Sequence, residues 1–114
     1  MKYEAIEFIS KADAETVFVS ENPVLISQTL VRLAYHCDDW RWVQSKCLLY
    51  SASENENVQN TAILCLGHLA RIHHKLDMEL IMPVLSRLKK NPKLEGRVED
   101  ALSDIDIYIK RKNT

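Results

Sequence analysis

The chain has 114 residues, a formal net charge of −1 and 46% hydrophobic residues, which indicates one folded domain and excludes wholesale disorder. Its two glycines, Gly67 and Gly96, are too few for a phosphate-cradling glycine loop. The near-neutral net charge argues against a uniformly basic protein that binds nucleic acid.

Apolar residues recur at steps of three and four along nearly the whole chain, which predicts an all-α fold of five to seven helices. The first helical region spans about residues 2–20, with Asp13 as a candidate break. The others follow over about residues 23–36, 40–51, 57–74, 78–90 and 94–110. The last residues, 111–114, are expected to form a frayed tail.

Three polar residues mark helix starts. Asn22 precedes a proline, and this pair is favourable because asparagine accepts a first-turn N–H and proline fits the first helical position. Asp39 and Asp77 are predicted to cap the third and fifth helices, where their charge also complements the helix dipole.

Apolar stripes on these helices predict the core. The third helix is expected to bury Trp40, Val43, Cys47 and Tyr50. The fourth has the clearest stripe, which comprises Val58, Ala62, Cys65, Leu69, Ile72 and Leu76.

Several features predict a cytoplasmic location with no membrane segment. The N-terminus lacks a signal-peptide core, and no apolar run approaches the length of a membrane span. Cys37, Cys47 and Cys65 are distant from one another and lie in apolar stretches, as expected of buried thiols in a reducing compartment.

His73 and His74, the one adjacent pair of histidines, are candidate metal ligands. Neighbouring side chains on a helix point about 100° apart, so this pair alone cannot chelate one ion. We therefore expect no metal site and no cofactor.

The helix spacing contains a repeat. Asp39 and Asp77 are 38 residues apart, and the same step back from Asp39 reaches the start of the sequence. A period near 40 with two helices per unit is typical of HEAT-type α-solenoids. We therefore predict a single domain, 1–114, of about three helix hairpins, with units at about 1–37, 38–76 and 77–110; an ordinary helical bundle is the alternative.

Residues 57–69 resemble the second helix of a HEAT repeat, which typically reads D-x-x-V-R-x-x-A-x-x-x-L-G-x-L. The departures are Gln59, where arginine is usual, and Asn55, where aspartate is usual. The matching positions are Val58, Ala62, Leu66, Gly67 and Leu69.

A longer resemblance covers roughly Pro23 to Ile107. The runs at 39–44, 65–73 and 98–105 are similar to those of small bacterial HEAT-like proteins. That family includes immunity proteins of contact-dependent growth-inhibition (CDI) systems, which bind and block the nuclease domain of a cognate toxin. The resemblance implies a non-enzymatic immunity protein that neutralises its toxin, an RNase, by protein–protein occlusion, whereas the residues themselves indicate a binding scaffold.

Two polar rows are candidate partner-binding positions. His68 and Arg71 lie one turn apart beside the apolar stripe of the fourth helix, and Asp100, Asp104 and Tyr108 lie beside that of the last helix. In a HEAT-type stack the second helices line the concave side, so both rows would share one surface. An acidic face with a tyrosine suits a basic partner such as a nuclease cleft; a solvated or inter-repeat polar face is the alternative.

The third helix supplies two further candidates, Asp39 and Trp42. Trp40 and Trp42 are two residues apart, so both cannot belong to one narrow apolar stripe. Trp40 aligns with the core positions. Trp42 either packs between repeats or is an exposed anchor, since tryptophan is enriched at binding hot spots.

Other function classes have less support. A nucleic-acid-binding scaffold would use the basic cluster of Arg87, Lys89, Lys90, Lys93 and Arg97, but no aromatic residues are interleaved there for base stacking. An enzyme that uses general acid–base catalysis would need His or carboxylate side chains that converge in a pocket. For nucleophilic catalysis, no Ser or Cys carries a recognisable signature.

The net charge conceals an asymmetry. Residues 1–57 carry 5 Lys+Arg and 9 Asp+Glu, a net of −4, and residues 58–114 carry 10 and 7, a net of +3. Local acidic patches therefore remain available for a basic protein partner, including the one at Asp38 and Asp39.

Overall fold

The computed structural model describes residues 5–110. Six α-helices follow one another in that range, and it contains no β-strand, so the predicted all-α fold is confirmed. The helices are α1 (Lys11–Ser20), α2 (Pro23–His36), α3 (Trp40–Tyr50), α4 (Glu56–His73), α5 (Met78–Lys89) and α6 (Glu95–Ile105). A π-helical segment, Asp106–Lys110, extends α6.

The first helical region is shorter than predicted. Residues 5–10 have no regular structure, and α1 begins at Lys11 because the Ser10 hydroxyl caps it by accepting a hydrogen bond from the N–H of Asp13 at 3.1 Å. Asp13 thus lies in the first turn of α1 and is not a break. The expected frayed tail at 111–114 lies outside the described residues.

Two of the three predicted N-cap residues, Asn22 and Asp39, cap their helices through their side chains. The Asn22 side chain accepts from two backbone N–H groups, at 3.1 and 3.2 Å, and Asp39 accepts from the N–H of Trp42 at 3.2 Å. Asp77 occupies the predicted N-cap position, but its side chain makes no capping hydrogen bond. Instead, the N–H of Asp77 donates to Oε1 of the buried Gln44 at 2.7 Å, which joins the start of α5 to α3.

Helix α4 lies at the centre of the molecule. It packs most extensively against α2 and α6 and also against α3, and its buried residues are Val58, Ala62, Ile63, Cys65, Leu66, Gly67, Leu69 and Ala70. The order α2–α4–α6 is the order that stacked hairpins require of their second helices. The HEAT-type division at 37 and 76 stays a prediction.

The predicted core of α3 is correct at Val43 and Cys47, which are fully buried. Trp40 and Tyr50 are only half-buried and pack against the edge of the core. All three cysteines are free thiols. Among residues 5–110 no helix is both long enough and apolar enough to cross a membrane.

Candidate partner-binding surface

Side chains from three helices meet on one face of the molecule. Nη2 of Arg71 on α4 donates to the hydroxyl of Tyr35 on α2 at 3.2 Å and to Nδ1 of His68 at 2.8 Å. The rings of Tyr35 and His68 meet edge to face, with centroids 5.2 Å apart. Asp104 on α6 lies close enough to His68 to affect its titration. We call Tyr35, His68, Arg71 and Asp104 the three-helix cluster.

Helical spacing and one small residue bring this cluster together. His68 and Arg71 are one turn apart and therefore neighbours on α4. The buried Gly67 lets α6 approach closely, since a Cβ at that position would lie 2.8 Å from Oδ2 of Asp104 and 3.4 Å from the Cα of Ala101. The Asp104 carboxylate thus occupies space that any other residue at position 67 would fill.

The environment of His68 favours its neutral form. Burial lowers the pKa of the imidazole, the Arg71 guanidinium lowers it further, and the Asp104 carboxylate opposes both. Since arginine can only donate, Nδ1 must be the acceptor and the ring proton is assigned to Nε2. His68 is therefore a neutral hydrogen-bond acceptor that fixes the position of the Arg71 guanidinium.

Tyr108 lies beside the C-terminal end of α4. Nδ1 of His74 donates to the backbone oxygen of Tyr108 at 3.3 Å, and their ring centroids are 5.9 Å apart. His74 has the left-handed conformation at the end of α4, with φ of 57°. Asp100 is exposed and lies one turn before Asp104 on α6. The structure thus brings His68, Arg71 and Asp104 together, with Asp100 one turn earlier on α6 and Tyr108 on the π-helical extension of α6.

Asp39 and Trp42 are in a different environment, between α1 and α3. Nζ of Lys11 lies 2.6 Å from Oδ2 of Asp39 and 5.2 Å from the centroid of the Trp42 ring. Nζ of Lys46 is 5.5 Å from the same ring. Trp42 is half-buried and packs between helices, one of the two alternatives, while Asp39 caps α3. In the described part of the chain, no hydrogen bond, ion pair or ring contact joins these residues to the three-helix cluster.

Sequence reasoning missed Tyr35. It lies 33 positions before His68, and nothing local to α2 shows that its hydroxyl meets Arg71; only the packing of α2 on α4 does so. The sequence also gave no indication that residues 6–8 run beside α2. There Arg32 donates from Nε to the backbone oxygen of Glu7 at 3.0 Å and from Nη2 to that of Phe8 at 2.7 Å, and His36 contacts the oxygen of Ile6.

The basic cluster at the α5–α6 connection is exposed and partly paired. Nζ of Lys89 lies 3.9 Å from Oε1 of Glu99, and Nζ of Lys93 lies 3.6 Å from Oε1 of Glu56.

Over residues 5–110 no group of three or more His, Cys, Asp or Glu is placed to hold a metal ion.

The fold is similar to that of a solved CDI protein. In the crystal structure of a CDI complex from Cupriavidus taiwanensis LMG 19424, one chain is 29% identical to this one and matches it with a TM-score of 0.83, over 95% of this chain and 97% of that chain. No protein-family model matches the sequence, and no curated protein sequence matches it. The resemblance to proteins of CDI systems that the sequence indicated is thus confirmed.

Proposed function

We propose that this chain is a cytoplasmic immunity protein that binds the toxin of a CDI system and neutralises it. The observation that carries the proposal is the nearly end-to-end likeness to a chain of the Cupriavidus taiwanensis CDI complex. A likeness over 95% of this chain and 97% of that chain supports a shared role better than a likeness of one helical hairpin would, because it covers nearly the whole of both folds. The proposed activity is binding, with no catalytic step.

The proposed target is a nuclease domain, an RNase, which the chain blocks by occlusion. Nucleases that bind a phosphate backbone present basic clefts. The acidic residues along α6 suit such a cleft, since Asp100 is exposed and Asp104 is half-buried. Opposite charges on the two proteins would speed association and fix their relative orientation.

The proposed contact surface is the face formed by α2, α4 and α6, centred on the three-helix cluster and extended by Asp100 and Tyr108. Tyr35, His68, Arg71 and Tyr108 are held by hydrogen bonds or ring contacts. These four side chains would therefore lose little conformational freedom when a partner docks. Asp39 and Trp42 are already engaged by Lys11 between α1 and α3, and we assign them a smaller part in binding.

Co-expression tests the function. The toxin domain encoded by the reading frame next to this one is expressed with and without the chain, and growth and co-purification are measured. Rescue of growth and a stable complex are expected. Growth arrest despite folded immunity protein would contradict the proposal.

Substitution tests the surface. D104A and Y108A are expected to weaken the complex without changing helical content, because both side chains are only half-buried and neither belongs to the hydrophobic core. R87Q is the matched control, because Arg87 is exposed and its helix, α5, is not one of the three that form this face. Unchanged affinity in both variants would exclude this surface.

The basic cluster supports a second candidate, an RNA- or DNA-binding scaffold. Its five cations are exposed, although two of them already face glutamates. A salt-dependent shift of labelled RNA at micromolar protein, lost on replacing these residues, would favour that function over toxin binding.

A further inference from the structure

In the described part of the chain, the Arg71 guanidinium forms no direct ion pair with a carboxylate. Its Nη2 group donates to the Tyr35 hydroxyl and to Nδ1 of His68, and both of these acceptors are neutral. No carboxylate of residues 5–110 lies within ion-pair distance of it, although four other cation–carboxylate pairs are present in that range. The nearby Asp104 acts on His68 and lies against Gly67.

The Arg71 guanidinium is fixed in position and still has N–H donors for a further ligand. Arginine has five N–H donors, and the two known hydrogen bonds use only the Nη2 group, which leaves Nε and Nη1 to donate elsewhere. Arg71 is half-buried, and its Cζ lies 5.8 Å from the centroid of the Tyr35 ring. A cation held by neutral neighbours at a partly dry surface binds an anion more strongly than a freely moving surface arginine would.

We propose that Arg71 is the binding site for a single acidic side chain of the toxin. His68 is the residue that positions the Arg71 guanidinium for this contact. This inference rests on the proposed function and adds the chemistry of one contact. The expected ligand is an aspartate or glutamate at the rim of the toxin's basic cleft. A nucleic-acid backbone fits less well, because a chain of phosphates bound at Arg71 would also run past Asp104 and Asp100, whose charges would repel it.

His68 has this role only when neutral. Protonation of its ring removes the acceptor at Nδ1 and places a second cation 2.8 Å from Arg71. The groups that face the ring are Tyr35 from α2, Arg71 from α4 and Asp104 from α6. Of these, only Asp104 would stabilise the imidazolium, and it is opposed by burial and by Arg71. Toxin affinity should therefore persist at the ordinary histidine value of 6.5 and fall as the pH drops through the folded-state pKa of His68, which lies below that value.

The test measures the affinity of purified variants for the neighbouring toxin domain by calorimetry. We expect R71Q to weaken binding at least tenfold, R71K to weaken it less, and the control R87Q to change it less than twofold. The dependence of log Kd on salt should be shallower for R71Q than for the wild type, since one charged contact is absent.

The positioning role of His68 is tested by a pair of variants. H68L has no acceptor and should lose most of the affinity that R71Q loses. H68N places an acceptor oxygen close to the position of Nδ1, so it should restore binding and lower its sensitivity to pH. Thermal melts establish that each variant is folded.

The outcomes separate the two proposals. If the wild type binds and R71Q binds as tightly, the inference about Arg71 is wrong and the proposed function stands. If H68L and H68N have the same affinity, the positioning role of His68 is wrong. If the folded wild type fails to bind the toxin domain, the proposed function is wrong, and the inference with it.

Discussion

The carboxylate of Asp104 lies so close to the backbone of Gly67 that a Cβ at position 67 would be 2.8 Å from Oδ2. This contact sets the approach of α6 to α4 and places Asp104 beside His68. It also explains why a glycine is useful inside a long helix, where glycine costs about 1 kcal/mol relative to alanine.

The contact predicts that G67A and D104A are energetically coupled. In the wild-type background, the gain in helix propensity from G67A is offset because the Asp104 carboxylate must move. In the D104A background the obstacle is absent, so G67A should stabilise the chain by about 0.5–1 kcal/mol. Urea denaturation of the four proteins measures this coupling. An equal effect of G67A in both backgrounds would contradict the contact.

The environment of His68 predicts a pH-dependent stability. Its pKa is lower in the folded chain than its ordinary value of 6.5, so the unfolded chain binds the proton more readily. The stability contributed by the neutral ring is therefore present above pH 6.5 and is lost as the pH falls through the folded-state pKa.

The comparison of wild type with H68N isolates this contribution, because the other three histidines are common to both proteins. The difference in the free energy of unfolding should shrink as the solution is acidified. A difference that stays constant between neutral and acidic pH would show that His68 is not desolvated in this way.

The two aspartates at helix starts should respond differently to truncation. Asp39 caps α3 through its side chain, so D39A should lower the free energy of unfolding, whereas D39N keeps an acceptor oxygen and should lower it much less. D77A should have a small effect, because the Asp77 side chain does not cap α5. Chemical denaturation of the three variants measures these free energies of unfolding. An equal loss of stability in D77A and D39A would contradict the capping roles that the structure gives the two residues.

The three cysteines should differ in reactivity. Cys47 and Cys65 are fully buried, and Cys37 is only half-buried. Contact with Cys47, together with burial, raises the pKa of the Cys65 thiol well above its usual value, which suppresses the reactive thiolate. A thiol reagent should modify Cys37 first in the native protein and all three after unfolding. Rapid native modification of Cys65 would show that the α3–α4 contact opens readily.

Local signals predicted the helices well. The pair Asn22–Pro23 set the start of α2, and the stripe from Val58 to Leu69 identified α4 and its buried face, since capping and helical periodicity are properties of short segments. The same reasoning placed the start of α5 correctly at Asp77, but the Asp77 side chain makes no capping hydrogen bond. The N–H of Asp77 is instead bound by Gln44 from another helix, a partner that no local pattern reveals.

The candidate surface was predicted only in part, for the same physical reason. His68 and Arg71 are neighbours on one helix, so their pairing follows from spacing. The roles of Tyr35 and Gly67 depend on how α2 and α6 pack against α4. The sequence left Trp42 either packed between repeats or exposed as an anchor. Its half-buried position and its contact with Lys11 from α1 favour packing between helices.

The most direct test of the proposed inhibition is a titration of the neighbouring toxin domain with the purified chain, in which RNA cleavage is followed. If the chain occludes the toxin, cleavage falls in proportion to added protein and stops near one equivalent, with the R87Q control equally effective and D104A requiring more protein. RNA cleavage that continues unchanged at a large excess of the folded chain would contradict the proposed inhibition.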